Sequence, residues 1–262
     1  MEMSEYLYHY TNLETLKLIL ENKTFRLSSL SRMDDLEEGE TEDFQKLGRF
    51  TYISSWTDNP YESLALWSYS KGNDGVRVKM RKDIFKTEYI NENSIIDGIG
   101  ISIEENFNIG LLDLMKNKNV SFVPPRAELI RVTYTNLERL LRPTVFKKCQ
   151  CGQGIVQTEN LGIFKRAGWQ EQREWRYRLS SLPFNMIELA HEHNNFDFHL
   201  EKLRHREDLG FIDLPLKDDV FDDMEVLCSP LMGEESKLEV KRVLEYYASN
   251  ASIKCSELRM RV

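Results

Sequence analysis

Cysteine is scarce in this sequence. Four residues, Cys149, Cys151, Cys228 and Cys255, among 262 are too few and too scattered for a disulfide framework. They are expected as free thiols in a reducing compartment, and Cys149-x-Cys151 lacks the second pair that zinc spacing requires. Long apolar runs are missing as well, for nothing approaches the ~20 residues of a membrane-spanning helix. The opening MEMSEYLYHY has neither the basic start nor the apolar stretch of a secretion signal, so a cytoplasmic protein with no membrane partner is expected. Positive charge is in deficit. With 43 acidic against 35 basic residues the formal net charge is −8, which argues against a chain that coats DNA or RNA through a basic face. Only a local basic groove around Arg173, Arg176 and Arg178 stays open. The commonest nucleotide and hydrolase signatures, GxxxxGK[ST], GxGxxG and GxSxG, are absent.

What is present suits a folded chain. A hydrophobic share of 41% and an aromatic share of 11% suffice for a core and exclude a disordered class. Apolar periodicity predicts strands over 6–10, 25–27, 51–56, 75–80, 128–134, 225–228, 253–255 and 257–261. Helices are expected over roughly 12–22, capped by Thr11 or Asn12, over 61–69, near 104–117, after Asn136, in part of 186–208, and over 234–248. Residues 28–43, SSLSRMDDLEEGETED, read as a polar loop too charged to bury. There is no repeat and no low-complexity linker. The order is mixed, without strict strand–helix alternation. The expectation is one α+β domain over 1–262, with a mostly antiparallel sheet, flanking helices and a helical insertion about 186–208.

Few residues stand out as chemistry. His191, His193 and His199 lack the spacing of a metal-binding helix and read as solvated surface. The acidic run Asp34, Asp35, Glu37, Glu38, Glu40 reads first as a solvated loop and second as a site that binds a cation or repels wrong ligands. No metal is expected. In WQEQREWRYRL (169–179), a period of two puts Trp175, Tyr177 and Leu179 on one face and Gln172, Glu174, Arg176 and Arg178 on the other. That predicts a half-buried strand whose polar face meets either water or a cleft. His9 on the first strand, Ser54 and Ser55 on TYISSW, and Trp67 and Tyr69 soon after complete the set. Taken singly, such residues are more often core residues with satisfied hydrogen bonds than ligand contacts.

Two resemblances attach to these residues. LYHYTNLETLKLILENKTFRLSS, then Asp34-Asp35-Leu36-Glu37-Glu38, Ala65-Leu66-Trp67-Ser68-Tyr69, and Lys165, Trp169 with Gln172-Arg173-Glu174-Trp175-Arg176 resemble the bacterial domain of unknown function 2971. That likeness runs over nearly the whole chain and implies little biochemistry. More distantly, His9, then Ser54/Ser55 or Tyr69, then Gln172-x-Glu174 resemble the three dispersed elements of ADP-ribosyltransferase-like folds. This second likeness implies a cleft that takes NAD as substrate, with Glu174 and Gln172 catalytic. It implies nucleotide contacts from His9, Tyr10, Thr11, Arg26, Ser54, Ser55, Trp67, Tyr69 and Arg176. Glu174 would stabilise the positive charge that builds on the ribose as the nicotinamide bond breaks. Gln172 would orient a nucleophile, Tyr69 or Trp67 would stack on a ring, and Arg26 or Arg176 would pair with the pyrophosphate. The acceptor would be nucleic acid, protein or water, and by fold-level analogy the role extends to toxins and phage-defence effectors. A non-catalytic module that senses a nucleotide or binds a partner is the alternative.

Overall fold

The sheet is built around Thr51–Thr57, a run of β-branched, aromatic and small residues suited to burial on both faces. In a computed structural model of the chain, residues 5–70, 73–96, 99–110, 119–122, 124–148, 154–192 and 195–259 are described. The strands in chain order are β1 (Tyr6–Asn12), β2 (Thr24–Ser29), β3 (Thr51–Thr57), β4 (Gly75–Arg81), β5 (Glu88–Ile96), β6 (Ile99–Phe107), β7 (Ser121–Phe122) and β8 (Glu128–Arg131). They continue as β9 (Thr133–Thr135), β10 (Phe146–Lys148), β11 (Gly154–Val156), β12 (Phe164–Arg166), β13 (Glu174–Leu182), β14 (Phe211–Pro215), β15 (Glu225–Cys228) and β16 (Ser252–Cys255). Ten form one sheet, in the order β14-β2-β3-β1-β4-β15-β16, with β13 on β3 and β7 and β8 on β13. Pairing is antiparallel except β15 with β16 and, in a separate ribbon, β9 with β12. The fold is α+β with a mixed, mostly antiparallel sheet and a few helices.

β3 has two edges, and their occupation creates the feature that matters below. β13 pairs along the whole of one edge, from Glu174 opposite Thr57 to Ser180 opposite Thr51. The other edge is shared. β1 meets it only at Thr57, opposite Tyr8, whereas β2 meets it at Ile53 and Tyr52, opposite Ser28 and Ser29. Between these contacts the two strands splay apart, beside Ser54–Trp56.

The helix Leu13–Asn22 begins where expected. The Asn12 side chain accepts from the Thr15 N–H, satisfying one of the donors a helix start leaves open. Leu13, Leu16, Ile19 and Leu20 fall on one buried face, each contributing roughly 1.5–3 kcal/mol by leaving water. The helix Glu234–Tyr247 lies against it, with Lys17 and Glu239 paired at 2.9 Å. No described helix is long and apolar enough to cross a membrane.

Several expectations need correction. The loop 28–43 is not wholly solvated, because Asp35 and Glu38 are 9% and 8% exposed. It folds back tightly at Gly39 (φ +76°), where an added Cβ would lie 2.7 Å from the Gly48 Cα. Only glycines allow that approach, and it turns Glu38 inward. The predicted helix near 104–117 is wrong through 107, which belongs to the β5–β6 hairpin; 111–118 lie outside the described residues. The short helix after Pro60 is Leu64–Trp67, capped by Ser63. Asn136 caps nothing: the helix Glu138–Leu141 starts after Leu137. ELIRVTY is broken at Val132 into β8 and β9. The strand over 257–261 does not form at 257–259, and 260–262 lie outside the described residues, as do Cys149, Cys151 and His193. Of the other cysteines, Cys228 is buried and Cys255 exposed, both as free thiols, and burial pushes the Cys228 thiol up to about 11. Of 186–208, Met186–His191 and Phe196–His205 are helical, in line with the expected partial helix.

Candidate functional site

Because β13 has β3 on one side and β7 and β8 on the other, it is an interior strand. Both of its faces are covered, so the half-buried reading fails. Glu174, Arg176, Tyr177, Arg178 and Leu179 are all buried, and Arg176 is fully enclosed. Its start opens onto a cavity of about 210 Å³ whose lining comes from β1, the loop after β2, β3, the segment around Leu66–Tyr69, β12 and the turn before β13. Aromatic walls (Tyr8, Tyr10, Trp56, Tyr69, Trp169) surround a polar floor of His9, Ser55, Lys165, Gln172 and Glu174, with Asp34, Asp35 and Glu38 at one side. Apolar walls with a few convergent polar groups are the usual make-up of a ligand site.

The floor rests on a buried ion cluster. Arg176 Nε and Nη2 donate to Glu174 Oε1 and Oε2 at 2.7 and 3.0 Å, Nη2 donates to Glu38 Oε1 at 2.6 Å, and Nη1 to the Gly162 carbonyl at 2.9 Å. Lys165 Nζ donates to Glu174 Oε2 at 3.1 Å and to Gln172 Oε1 at 2.9 Å, and lies 3.6 Å from Glu38 Oε2. Ser55 Oγ donates to Glu174 Oε1 at 2.6 Å. Two carboxylates thus meet two cations, the condition under which buried charge is tolerated. Burial pushes the Glu174 carboxyl up, but Arg176 and Lys165 overcome it and hold the group at about 2. Glu38 goes the other way, raised because burial outweighs the same two cations. The geometry explains the split, since Glu38 Oε2 has only the distant lysine. Glu38 is therefore the carboxylate of the pair that first takes a proton.

His9 fills the splay between β1 and β2. Its ring packs edge-on to Phe25 at 4.9 Å and tilted on Trp56 at 5.1 Å. Nδ1 lies 2.8 Å from the Ser55 carbonyl oxygen, a group left without a strand partner on that edge. A carbonyl can only accept, so Nδ1 carries the proton and Nε2 keeps its lone pair. Burial holds the imidazole at about 4, against the Ser55 carbonyl, which pulls the other way.

Of the residues singled out in the sequence, His9, Tyr10, Ser55, Tyr69, Gln172 and Glu174 line this one cavity. Gln172 arrives by a different route from the one expected. It ends the 3-10 turn Ala167–Gln172, and Arg173 at φ +47° separates it from the strand, so period-two logic does not relate it to Glu174. Its amide bridges Lys165 Nζ and, through Nε2 at 3.2 Å, the Tyr69 hydroxyl. Other residues fall elsewhere. Ser54 is buried and accepts from Trp56 Nε1, and Thr11 is buried opposite Val76 on β4. Trp67 stacks edge-on against Tyr10 behind the wall, with Nε1 donating to Glu62. Arg26 forks onto Asp213 across β2 and β14, over the Phe211 ring, away from the cavity. Arg176 is consumed by the two glutamates. Neither arginine is free for a pyrophosphate. Sequence reasoning ranked Asp35 and Glu38 first as solvated loop and did not foresee the role of Lys165; an acidic run reads as solvent-facing until a tight Gly–Gly turn brings it inward. No protein family, curated protein or solved structure matches this chain.

Proposed function

We propose that this chain is an ADP-ribosyltransferase-like protein that binds NAD and transfers ADP-ribose to an acceptor or to water. The observation that supports it is the convergence of His9, Ser55, Tyr69, Gln172 and Glu174, from separated segments, on one cavity. At about 210 Å³ the cavity is below the range of roughly 300–1,000 Å³ usual for whole ligands, so it suits one end of a dinucleotide. In the reaction the bond between nicotinamide nitrogen and ribose carbon breaks and its electron pair leaves with nicotinamide. The ribose becomes cation-like until the acceptor oxygen or nitrogen bonds to it and gives up a proton. Glu174, ionised and fixed by Ser55, Arg176 and Lys165, presents a preorganised negative group to that charge. His9 Nε2, an acceptor at neutral pH, takes a hydrogen bond from a sugar hydroxyl. Trp169 and Tyr69 flank a planar ring.

One observation favours a second reading, a non-catalytic nucleotide-sensing or partner-binding module. Both Glu174 oxygens already accept two hydrogen bonds each, and two cations offset its charge. The deciding experiment measures nicotinamide release and NAD binding by the purified protein, with and without nucleic acid and lysate as acceptors. Release that is lost in Glu174→Gln while NAD still binds supports the transferase. Binding without release under every condition supports the module. A folded protein that does neither discards both.

A further inference from the structure

The ion cluster leaves an imbalance at the cavity that its own partners do not resolve. Glu38 and Glu174 are matched by Lys165 and Arg176. Asp34 and Asp35, also on the lining, have no such counterparts there. Asp34 is exposed, where water screens it. Asp35 is 9% exposed. Its Oδ1 accepts from the Glu37 N–H at 3.1 Å, which fixes the carboxylate, while Oδ2 is buried with no hydrogen-bond partner among the described residues. A buried carboxylate oxygen without a donor is costly, and its uncompensated charge acts through space on whatever occupies the adjoining cavity. Around the same space stand Tyr8 and Tyr10, which already carry Arg77, Trp169, which carries Lys165, and Tyr69, whose ring holds no cation among the described residues and attracts one.

We propose that Asp35 is a specificity residue of this cavity, and that the ligand group it selects is a planar aromatic cation, an N-substituted pyridinium, rather than a neutral or anionic ring. The inference rests on the reading of this cavity as the ligand site. It also orients the ligand: in NAD the pyridinium riboside enters, and the pyrophosphate, repelled by the unbalanced aspartates, stays at the mouth. That agrees with the loss of Arg26 and Arg176 as phosphate partners.

The test uses two small probes that differ in charge, 1-methylnicotinamide (cationic) and nicotinamide (neutral), titrated calorimetrically into the full chain, into Asp35→Asn and into Asp34→Asn. Asparagine retains an oxygen for the Glu37 N–H, and a melting curve confirms folding. The expected result is that the cation binds about tenfold more tightly than the neutral ring, that added salt erodes the preference, and that Asp35→Asn brings the ratio near one. Asp34→Asn should change it about twofold at most. Equal affinities in the unaltered protein, a preference that survives Asp35→Asn, or no binding of the cation would overturn the proposal. NAD turnover or binding is scored separately. Capture of 1-methylnicotinamide without any response to NAD would keep the cation site and discard the transferase.

Discussion

Strand β13 begins beside one cavity, at Glu174, and ends beside another, at Ser181 and Leu182, and the two have nearly the same volume, about 210 and 220 Å³. The second is walled by Leu47, Phe50, Leu161, Phe184, Phe196 and Leu203 among others, with little that ionises. The first has four carboxylates, a lysine and a histidine in its lining. Volume therefore does not separate a place for chemistry from a gap in packing. What separates them is the cost already invested in each. Dry apolar walls lose only some dispersion contacts across a void, whereas a buried ion cluster costs several kcal/mol per ion before its pairing offsets it.

The sharpest way to break the comparison is Arg176→Leu. It removes the cation that holds both Glu174 and Glu38, leaving Lys165 alone between two buried carboxylates. A loss of about 3–5 kcal/mol is expected in urea unfolding at neutral pH. A loss below about 1 kcal/mol would mean the cluster is not held as described.

At the other end, Leu203→Ala enlarges the apolar cavity from a side chain 4% exposed. It should cost about 2–5 kcal/mol, with the lower half favoured because a void is already there to relax into. Affinity for ligands of the first cavity should be unchanged. A coupled loss of binding would show that the two ends of β13 do not act independently.

Acid offers a graded test. His9 is lowered from 6.5 to about 4, so between those values the unfolded chain binds the extra proton. Its stabilising contribution is present above pH 6.5 and is lost as pH falls towards 4. Glu174, lowered from 4.5 to about 2, contributes above pH 4.5 and loses that as pH falls towards 2. Glu38, raised, has the opposite sign and partly offsets Glu174 on acidification. Stability should therefore drop by about 2 kcal/mol between pH 6.5 and 4, and His9→Gln should flatten that segment alone. A slope unchanged in the variant would place the titrating group elsewhere.

These groups show which parts of the molecule were legible in advance. Strands β1, β3 and β4 and the helices Leu13–Asn22 and Glu234–Tyr247 follow from periodicity and caps, which act over a few residues. The cavity's members from β1 and β3 were visible as polar residues on strands. Glu38 was not, because its burial depends on Gly39 meeting Gly48 and on an arginine 138 positions later. Nor were the interior position of β13, set by β7 and β8 pairing from more than 40 residues upstream, and the hairpin that replaced a predicted helix. Period-two geometry in WQEQREWRYRL holds only from Glu174 onward, because Ala167–Gln172 is a 3-10 turn, and alternation cannot tell water from a buried ion cluster. Long-range pairing decides that.

The smallest expected effect on stability is also the most specific to function. Tyr69 is 38% exposed, and its hydroxyl accepts only a 3.2 Å bond from Gln172 Nε2 among the described residues. Tyr69→Phe keeps the ring that flanks the cavity and frees one amide proton of Gln172. Its stability cost should be within about 0.5 kcal/mol, as for surface changes away from core features. A tenfold fall in NAD turnover, about 1.4 kcal/mol, would then exceed anything attributable to folding. If binding stayed level while turnover fell, the Tyr69–Gln172–Lys165 chain would be positioning the group that attacks the ribose. If both were untouched, Gln172 would be a brace for Lys165, and the chemistry of the cavity would reduce to Glu174, His9 and Asp35.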